Sequence, residues 1–568
     1  MSTNQTQTAQ DTAASIRAAQ LALGYPPELD PTADTLQILP DILAQAMAKY
    51  AERPAYSCMG QTLSYAEVDR LAQQFAVYLQ THTDLKPGDR VAIQLPNVLQ
   101  YPVAVFGALR AGMVVVNVNP LYTPDEMQHQ LSDSGAAAIV ILANMAHKLE
   151  EILPRTAVRH VVVTELADLH PLPQRLLLNA AVRYVKKMVP AYHLPTAVSW
   201  RDVLALGKGK MPKPVALKTN DIAALQYTGG TTGVAKGVML THGNLLANMR
   251  QCRIFMEKAG VKNGVEVALA PLPLYHIYAF MLHLVLLAES GSHSVLIPNP
   301  RDLDTVVAAW KKYPCSFFVG INTLFVALAN NEAFKKLDFS ALKLTFSGGM
   351  ALTETAATRW QQTTGCAVLE GYGLTESSPV LSINPAGHMR LGTIGIPVAD
   401  TQIKIVDNED VLQPVGVAGE LCAQGPQVMQ GYWQRDDETQ KTIINGWLHT
   451  GDIAIVDPDG YIRIVDRKKD MINVSGFNVY PNEVENVMSA HPDVVECAVV
   501  GVPSEKTGEA VKLFVVSRNP ALTKENLQAF AREHLTGYKT PDIVEFRSSL
   551  PKSNVGKILR RELRDGKA

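Results

Sequence analysis

The run YTGGTTGVAKG at residues 227–237 concentrates glycine, threonine and one lysine in a short stretch. Glycines let backbone N–H groups approach phosphate oxygens closely, threonine hydroxyls add donors, and a lysine adds a point positive charge. Two apolar stretches that read as strands, DIAALQY and GVMLTH, flank the run. We therefore predict a phosphate-binding loop, the alternative being a flexible turn. Its predicted binding residues are Tyr227, Thr228, Gly229, Gly230, Thr231, Thr232, Gly233 and Lys236.

The loop does not have the spelling of a P-loop NTPase. That spelling requires a lysine directly after the last glycine, followed by a hydroxyl residue that reaches magnesium. Here Val234 and Ala235 separate Gly233 from Lys236, and Gly237 stands where serine or threonine would be. The phosphate must therefore be held for a different chemistry from that of a P-loop enzyme.

Further motifs accompany the loop along the chain. They are LSYAEVDRLAQQFA (63–76), PLPLYHIYAF (271–280), SGGM (347–350), GYGLTESSP (371–379), WLHTGDIA (447–454), DRKKDMINVSGFNVYPNEVE (466–485) and PKSNVGKILRREL (551–563). In this order they resemble the motifs of the adenylate-forming superfamily, which includes acyl-CoA synthetases, luciferases and peptide-synthetase adenylation domains. The spelling is most similar to that of bacterial long-chain fatty-acid–CoA ligases, including Ala235 where many relatives have proline. The resemblance covers nearly the whole chain after about residue 35.

The resemblance implies a reaction in two halves. A carboxylate attacks the α-phosphate of MgATP to give an acyl-adenylate and pyrophosphate, and the thiol of CoA then displaces AMP to give a thioester. The first half brings an anion onto a polyanion, so electrostatic stabilisation dominates its barrier. The expected substrates are therefore ATP, CoA and a medium- to long-chain fatty acid, with Mg²⁺ as the cofactor.

The resemblance also implies a role for each residue around the nucleotide. The loop would hold the β- and γ-phosphates while pyrophosphate leaves. Glu376 would bind magnesium with help from the Thr231 hydroxyl, since that ion needs only one or two carboxylates beside water and phosphate. Tyr372 would stack on adenine, Asp452 would accept both ribose hydroxyls, and Arg467 would donate to the ribose. The plain alternatives are an exposed turn for the glutamate and a turn cap for the aspartate. The other matched residues are Gly348, Gly349, Gly371, Gly373 and Thr375.

Lys557 matches the family lysine that bridges the acid and the α-phosphate during adenylation. Taken alone, its stretch SNVGKILRREL reads as the basic start of a C-terminal helix. The same lysine would obstruct CoA in the second half, so the resemblance implies a mobile C-terminal domain that rotates about a hinge at Lys469. Rotation would replace Lys557 with the CoA-binding residues Ser475 and Gly476, where a side chain in place of the glycine would block the pantetheine tunnel.

His276 matches the residue at the mouth of the acid pocket. Two roles are open, positioning of the carboxylate and gating of CoA, and a satisfied core histidine is the plain alternative. Phe280 falls near an aromatic gate of some long-chain ligases, or else it simply packs in the core. Residues 281–288, MLHLVLLA, would form an apolar wall. Each buried CH₂ contributes about 0.8 kcal/mol, so the depth of the tunnel would set the preferred chain length.

Other functions remain open at this point. One is a medium-chain or aryl-CoA ligase, or an acyl-AMP ligase that loads a carrier protein. Enzymes of the last kind usually carry an insert that restrains the moving domain, and no candidate insert is evident. Another is a catalytically silent lipid- or nucleotide-binding protein, which we expect to lose Lys557, Glu376 or Asp452. All three are present, so the sequence favours an active ligase.

The bulk composition is that of an ordinary globular protein, with 47% hydrophobic residues, 19% charged residues and a formal net charge of −2. A nucleic-acid partner would favour a clearly basic domain, so none is expected. Six cysteines without a CxxC pair argue against a disulfide framework or a zinc site, and for a reducing compartment. The polar start lacks the apolar region of a secretory signal, so a cytoplasmic protein is expected. Prolines and polar residues interrupt the uncharged runs 91–109 and 267–288, which we interpret as buried core.

Apolar stretches alternate with helical ones through much of the chain. Between residues 90 and 142, RVAIQLP, MVVVNVNP and AAAIVIL read as strands, and QYPVAVFGALRAG and PDEMQHQLSDSG between them read as helices. This βαβα order predicts a parallel sheet covered by helices on both faces. Around residues 392–465 short strands with Gly and Asp-Gly turns predict a more antiparallel subdomain.

The chain beyond residue 466 reads as a separate small domain. ECAVVGVP and AVKLFVVSR read as strands, KENLQAFAREHL reads as an amphipathic helix, and about 100 residues suffice for such a unit. We predict an α/β protein with a disordered or extended start over 1–35, an N-terminal adenylation domain over 36–466, and a mobile α+β domain over 467–568. The resemblance makes this fold acyl-CoA synthetase/luciferase-like.

The insert RLLLNAAVRYVKKMVPAYHLP at residues 175–195 combines apolar residues with Arg and Lys. Basic charge beside an apolar face suits an anionic lipid surface. The insert thus favours peripheral contact with the inner face of the cytoplasmic membrane, the alternative being a surface helix packed on the core. Members of the resembled family often dimerise through the N-terminal domain, so a homodimer is one expected form, although no motif decides it.

Overall fold

The computed structural model describes residues 3–30, 32, 38–228, 235–553 and 556–566. Eighteen α-helices lie within these residues. They are α1 Thr3–Ala22, α2 Leu39–Lys49, α3 Tyr65–Thr81, α4 Gln100–Arg110, α5 Pro124–Ser134, α6 Ala146–Ile152, α7 Leu172–Ala180, α8 Trp200–Gly207, α9 His242–Lys258, α10 Ile277–Phe280, α11 Leu287–Glu289, α12 Leu303–Lys312, α13 Asn322–Ala329, α14 Glu354–Thr364, α15 Asp436–Thr442, α16 Pro481–Ser489, α17 Lys524–His534 and α18 Arg560–Arg564.

Nine strands form the largest sheet, which we call sheet A. In spatial order they are β16 Ile396–Pro397, β15 Val380–Ile383, β14 Val368–Gly373, β13 Leu344–Ser347, β12 Phe317–Gly320, β10 Val267–Ala270, β11 His293–Leu296, β1 Pro54–Cys58 and β2 Gln61–Ser64. The six strands from β14 to β1 are parallel, and the strands at both edges are antiparallel. Helices join the parallel strands, so their carboxyl ends meet at one edge of the sheet.

Sheet B contains the βαβα segment of residues 90–142. It also contains the antiparallel strands β8 Ile222–Thr228 and β9 Lys236–Thr241, which carry the predicted phosphate loop and which we call the phosphate hairpin. Its eight strands are, in spatial order, β19 Gly431–Tyr432, β9 Lys236–Thr241, β8 Ile222–Thr228, β4 Val114–Asn117, β3 Arg90–Gln94, β5 Ala138–Leu142, β6 His160–Thr164 and β7 Val198–Ser199. The strands predicted between residues 90 and 142 pair in parallel, as expected. β8 and β9 are antiparallel and bring Thr228 opposite Lys236. The stretch between them, 229–234, lies outside the described residues.

Two smaller sheets follow in the chain. Sheet C confirms the antiparallel subdomain and consists of β17 Gln402–Val406, β18 Gly419–Gln424, β20 Ile443–Ile444, β21 Trp447–Val456 and β22 Ile462–Arg467. Sheet D belongs to the small C-terminal unit and consists of β23 Ile472–Val474, β24 Phe477–Val479, β25 Val494–Ser504, β26 Gly508–Ser517 and β27 Ile543–Phe546. α16 and α17 pack on sheet D through Val484, Met488, Leu527 and Ala531, which gives the expected α+β arrangement.

The start of the chain differs from the expectation of a disordered or extended segment over residues 1–35. Residues Thr3–Ala22 form helix α1, whose Ile16 packs in the core of sheet C. The Gln20 amide nitrogen donates to the Pro397 carbonyl of β16 at 3.0 Å. This stretch is polar and rich in small residues, so its sequence does not show which side of the helix is buried. Docking against sheets A and C defines that side.

The insert at 175–195 forms α7 and a following π-helical turn, Ala181–Val185. No residue of either is buried, although six large apolar side chains belong to this region. Leu172, Leu176, Leu177, Tyr184, Val185 and Met188 are between 55% and 79% exposed. We call these six residues the α7 patch. None of the described helices has the length and apolarity to span a bilayer.

Candidate active site

A cavity of about 2500 Å³ lies among the carboxyl ends of sheet A, sheet C and the C-terminal unit. The predicted site residues that line it are Tyr227, Thr228, Lys236, His276, Gly348, Gly349, Gly371, Tyr372, Gly373, Thr375, Glu376, Asp452, Arg467, Lys469 and Lys557. Gly229, Gly230, Thr231, Thr232 and Gly233 lie outside the described residues. The structure thus brings together residues that are as far apart in the chain as 227 and 557.

The strand order of sheet A explains why the residues predicted to bind the nucleotide converge. His276 follows β10, Gly348 follows β13, and Tyr372 lies at the end of β14. Parallel strands place their carboxyl ends along one edge, and ligands of such sheets bind in the crevice there. At Gly373 an added Cβ would stand 1.8 Å from the Pro379 carbonyl oxygen, so only glycine fits at the end of β14.

Asp452 lies at the sheet C side of the cavity and is 6% exposed. It pairs with Arg467 across β21 and β22, and the Arg467 Nε stands 3.6 Å from its Oδ1. The Tyr372 hydroxyl donates to Asp452 Oδ2 at 2.6 Å. Burial raises the pKa of Asp452, and the positive charge of Arg467 opposes that rise. The three residues predicted for adenine and ribose are therefore joined by one hydrogen bond and one ion pair.

Glu376 lies in a 3₁₀ turn, Thr375–Ser377, beside the cavity. The Tyr432 hydroxyl donates to its Oε1 at 2.8 Å, and the Met429 N–H donates to its carbonyl at 2.8 Å. Within the described ranges, no group of three His, Cys, Asp or Glu residues could hold a metal ion. A single carboxylate beside a phosphate site nevertheless suits magnesium, which keeps several waters and takes its other ligands from phosphate.

Lys236 opens strand β9 and points toward helix α15. Its Nζ stands 2.7 Å from Glu438 Oε2 and lies over the Tyr432 ring at 4.5 Å from the ring centre. The other oxygen of Glu438 receives Lys441 Nζ at 3.0 Å. Hydrogen bonds from Lys236 and then from Lys441 lower the pKa of Glu438 to about 2. Neither Glu438 nor Lys441 belongs to a motif that the sequence singled out.

Lys557 is presented on a turn of the C-terminal unit that reaches the N-terminal sheets. Ser553 N–H donates to the Lys557 carbonyl at 2.7 Å, and the Lys557 N–H donates to Ser553 Oγ at 3.1 Å. An added Cβ at Gly556 would stand 2.6 Å from Ile321 Cδ1, which marks how closely this turn docks after β12. Burial, and then Arg467, lowers the pKa of Lys557 to about 8.

His276 caps helix α10 and accepts the Tyr278 N–H at Nδ1 over 3.4 Å. Burial, followed by the positive charge of Lys557, lowers the pKa of His276 to about 4. The imidazole is therefore neutral at physiological pH and can act as a hydrogen-bonding group without adding charge. His276 and Lys557 lie close enough to influence each other, which places them at the same end of the cavity.

The apolar part of the cavity extends behind His276. Its lining comes from helix α9, the π-helical turn Met281–Leu286 and the strands β12 and β13. The residues are Cys252, Met256, Tyr278, Met281, Leu282, Leu286, Phe317, Val319 and Phe346. Phe280, the predicted gate, is 1% exposed and is not among the described residues that line the cavity. Part of the predicted wall 281–288 thus faces the cavity, whereas Phe280 packs in the core.

The predicted CoA residues Ser475 and Gly476 lie in the turn between β23 and β24. Gly476 has φ +85°, and an added Cβ would meet no atom within 4 Å. Neither residue is among the described residues that line the cavity. In this arrangement of the domains, Lys557 faces the cavity and the glycine turn does not.

Two acidic residues in the site escaped the sequence analysis. Glu370 lies two residues before Tyr372 on β14, which places both on one face of the strand. Burial raises the pKa of Glu370 to about 8. Glu420 of β18 accepts the Gly451 N–H at 3.0 Å and Lys468 Nζ at 3.0 Å. An acidic residue inside an otherwise apolar strand, as in VLEGYG and GELCAQ, is the signal that could have identified both.

Two family models match the chain. Residues 43–433 match the model described as AMP-binding enzyme, and residues 483–557 match the model described as AMP-binding enzyme C-terminal domain. The first covers more than half of the chain. The resemblance inferred from the motifs is therefore confirmed.

Curated relatives and solved structures agree with the family models. The long-chain-fatty-acid–CoA ligases of Escherichia coli and Haemophilus influenzae are 53% and 49% identical to this chain. The alignments cover 95% and 92% of this chain, and 96% and 94% of the relatives. The crystal structure of ATP-bound MatB from Rhodopseudomonas palustris has a TM-score of 0.80 at 26% identity, covering 93% of this chain and 99% of that one. The predicted fold class is likewise confirmed.

Proposed function

The chain belongs to the AMP-binding enzyme family, and we propose on that basis that it is an ATP-dependent long-chain fatty-acid–CoA ligase. It converts a fatty acid, ATP and CoA into acyl-CoA, AMP and pyrophosphate. The alternatives of a medium-chain ligase, an aryl-CoA ligase or an acyl-AMP ligase are less well supported, because the relatives at 49–53% identity are long-chain-fatty-acid–CoA ligases over nearly their full length.

One observation carries the proposal for the first half-reaction. The Lys557 turn of the C-terminal unit docks against Ile321 after β12, and Lys557 lines the same cavity as polar Asp452 and apolar Met281. A carboxylate bound beside His276 would lie close to this lysine, with its alkyl chain along Met281, Leu282 and Leu286. The polar and apolar parts then correspond to the two substrates that the adenylation step joins.

In the adenylation step, the fatty acid carboxylate attacks the α-phosphorus and the bond to the pyrophosphate oxygen breaks. Lys557 stabilises the negative charge that the two reacting groups share, and it does so as a cation. Asp452 and Arg467 hold the ribose, and Tyr372 stacks on the adenine. His276 is neutral, so it orients the fatty-acid carboxylate as a hydrogen-bonding group and adds no positive charge beside Lys557.

Magnesium is proposed to bind at Glu376, with Thr231 as a second ligand outside the described residues. The carboxylate has one oxygen engaged by Tyr432, and it is suited to one position in an oxygen-ligand shell. When bound, the ion neutralises charge on the phosphates and eases departure of pyrophosphate. The phosphate hairpin, through Lys236, Tyr227 and Thr228, would hold the same phosphates from the other side.

For the second half-reaction we propose that the C-terminal unit rotates about Lys469. This residue lines the cavity directly after β22, where the chain leaves sheet C. Rotation withdraws Lys557 and brings Ser475 and Gly476 to the place that it vacates. The CoA thiol loses its proton to water, its sulfur then attacks the acyl carbon, the bond from that carbon to the phosphate oxygen breaks, and AMP leaves with that oxygen. Gly476 would contact the pantetheine chain, where its open surroundings leave room.

The test is release of pyrophosphate with fatty acids of increasing length, with and without CoA, together with mass spectrometry of the product. We expect release that depends on the fatty acid and acyl-CoA as the final product. Release that is independent of the fatty acid contradicts the proposal. Acyl-AMP that accumulates in the presence of CoA would support the carrier-protein alternative.

We further propose that the protein works in the cytoplasm and contacts the inner membrane surface through the α7 patch. A helix without a buried residue leaves its apolar side chains for another surface, and Arg175, Lys186 and Lys187 flank them. Arg183 is engaged with Glu165 at 2.6 Å. Basic residues beside exposed apolar ones suit an anionic bilayer, which would also supply the substrate.

Sedimentation with anionic phospholipid vesicles tests the membrane proposal. The double variant Leu176→Ser, Leu177→Ser should lose most vesicle binding, and Val417→Ser, an exposed apolar residue outside the patch, should not. Equal binding of the two variants contradicts the proposal. A change in the oligomeric state of the double variant in solution, without any lipid effect, would instead assign the patch to the interface of a homodimer.

A further inference from the structure

Helix α15 lies beside the phosphate hairpin and carries charged residues that no motif accounts for. Lys441 and Thr442 of this helix line the same cavity as Lys236 and Tyr227. Strand β19, which pairs with β9, directly precedes the helix. The pairing fixes the distance between α15 and the start of β9, so the charges on the helix belong to the phosphate end of the cavity.

The Glu438 carboxylate lies between two lysine amines. Its Oε2 is 2.7 Å from Lys236 Nζ and its Oε1 is 3.0 Å from Lys441 Nζ. The side chains of Lys236 and Glu438 are 28% and 33% exposed, and that of Lys441 is 69% exposed. Water therefore reaches Lys441 freely and the Lys236–Glu438 pair only in part. One carboxylate therefore holds two cations that open onto the cavity.

The Tyr432 ring connects this group with the proposed magnesium ligand. Lys236 lies over the ring at 4.5 Å, and the hydroxyl of the same tyrosine donates to Glu376 at 2.8 Å. A cation over an aromatic face gains further attraction. Lys236 is therefore fixed from below by the ring and from the side by Glu438, at the phosphate end of the site.

A phosphate group has the features that would replace Glu438. It carries more negative charge than a carboxylate and offers three acceptor oxygens. Lysine amines bind phosphate as point charges and can move from one anion to another on flexible stems. A carboxylate that bridges two lysine amines accepts the same hydrogen bonds that a phosphate would accept. The carboxylate and the phosphate therefore compete for the same two cations.

We propose that Lys236 and Lys441 form a two-lysine site for the pyrophosphate end of ATP, which Glu438 occupies until the nucleotide binds. The inference rests on the proposed function and adds to it Lys441 as a binding residue and Glu438 as an internal competitor. The carboxylate keeps the lysines in place before ATP arrives, and it takes them back when pyrophosphate leaves.

Asp437 supplies a matched control on the same helix. It stands 3.6 Å from Lys441 and, in the described part of the chain, makes no ion pair with Lys236. Asp437→Asn and Glu438→Gln each remove one negative charge at adjacent positions. Only the second frees Lys236, so a difference between them isolates competition from a general change in charge.

Binding of inorganic pyrophosphate, measured by calorimetry with Mg²⁺ on the full-length protein, tests the inference. We expect Glu438→Gln to tighten binding about threefold and Lys441→Gln to weaken it about threefold, the size of one partly exposed ion pair. Asp437→Asn should change affinity less than Glu438→Gln. Weaker binding by Glu438→Gln, or equal effects of the two acidic substitutions, overturns the inference.

A kinetic experiment separates this inference from the proposed function. In Glu438→Gln the KM for ATP should fall, because the carboxylate no longer competes for the two lysines, whereas in Asp437→Asn the KM for ATP should change less. If the variants bind pyrophosphate with the expected pattern but the wild-type protein releases none from ATP and fatty acid, the proposed function fails and the inference stands. If turnover is normal and the variants bind pyrophosphate alike, the inference fails alone.

Discussion

The proposed nucleotide end and the proposed acyl end of the cavity differ in the chemistry of the residues that line them. At the nucleotide end, Asp452, Tyr372 and Arg467 are held to one another by a hydrogen bond, an ion pair and strand pairing. At the acyl end, Leu282, Leu286 and their neighbours present mainly apolar surface. Polar recognition is specific because a lost partner leaves a buried polar group unsatisfied, whereas apolar recognition depends on volume.

This difference indicates how each end tolerates change. A substitution at the nucleotide end should act through one interaction and alter binding of ATP whatever the acid. A substitution at the acyl end should alter the preference among acids and leave ATP binding as it is. Lys557 lies at the junction of both ends, and it is the one proposed catalytic residue here that comes from the C-terminal unit.

Replacing Lys557 with alanine should have the largest effect. The expected loss in adenylation is about 10³-fold, the size seen when a charge-stabilising group is removed from an active site. Conversion of supplied acyl-AMP to acyl-CoA should be retained, because the lysine withdraws in that step. Separate assays of the two halves measure this, and equal loss of both would contradict the proposed rotation.

Narrowing the acyl end at Leu286 should have the next largest effect. Leu286→Trp would exclude about three methylene groups, worth about 2.4 kcal/mol. The ratio of kcat/KM for palmitate over octanoate should therefore fall about 60-fold. Leu286→Ala serves as the matched variant and should not lower the ratio. An unchanged KM for ATP in both variants would show that the acyl end and the nucleotide end act independently. A raised KM for ATP would contradict that independence.

Asp452→Asn should raise the KM for ATP by about 30-fold. Asparagine keeps the shape of the side chain but loses the charge that strengthens acceptance from ribose hydroxyls, a contribution of about 2 kcal/mol. Tyr372→Phe removes only the hydrogen bond to Asp452 and should have a smaller effect. Steady-state kinetics at saturating fatty acid measure both, and a change in chain-length preference would show that the two ends are coupled.

Of the four predicted effects, the change in activity with pH should be the smallest. Lys557 acts as a cation and burial lowers its pKa to about 8, so activity is present below that pH and is lost above it. The kcat/KM for ATP should fall about tenfold between pH 7 and pH 9. Lys557→Arg should remove this decline, since arginine stays charged. A decline that persists in the arginine variant would assign it to another group.

The residues named from the motif resemblance come together around one cavity, because several of them follow the parallel strands β10, β13 and β14. Their roles in nucleotide binding are predictions. The βαβα order between residues 90 and 142 predicted the parallel pairing of β3, β4 and β5. The motifs could not predict whether Lys557 or Gly476 faces the cavity, because that depends on how the two domains dock.

The acyl end was only partly predictable. Cys252 and Met256 on α9 line the cavity, although in sequence they resemble any buried helix position, whereas Phe280 looked like a gate and packs in the core. Glu438 was also missed, because a charged residue on a short surface helix ordinarily indicates only a face of the helix that is exposed to solvent. Its meaning depends on β19 pairing with β9, a contact between strands distant in the chain.

Helix α1 has a consequence for solubility. β16 and β17 are edge strands of sheets A and C, and α1 packs beside both, with Gln20 bonded to a β16 carbonyl. Exposed strand edges invite pairing with other chains, and covering them is a common protection against aggregation. Helix α1 therefore covers two strand edges at once. A chain that lacks this helix but keeps every site residue is expected to expose both edges and to form intermolecular sheets.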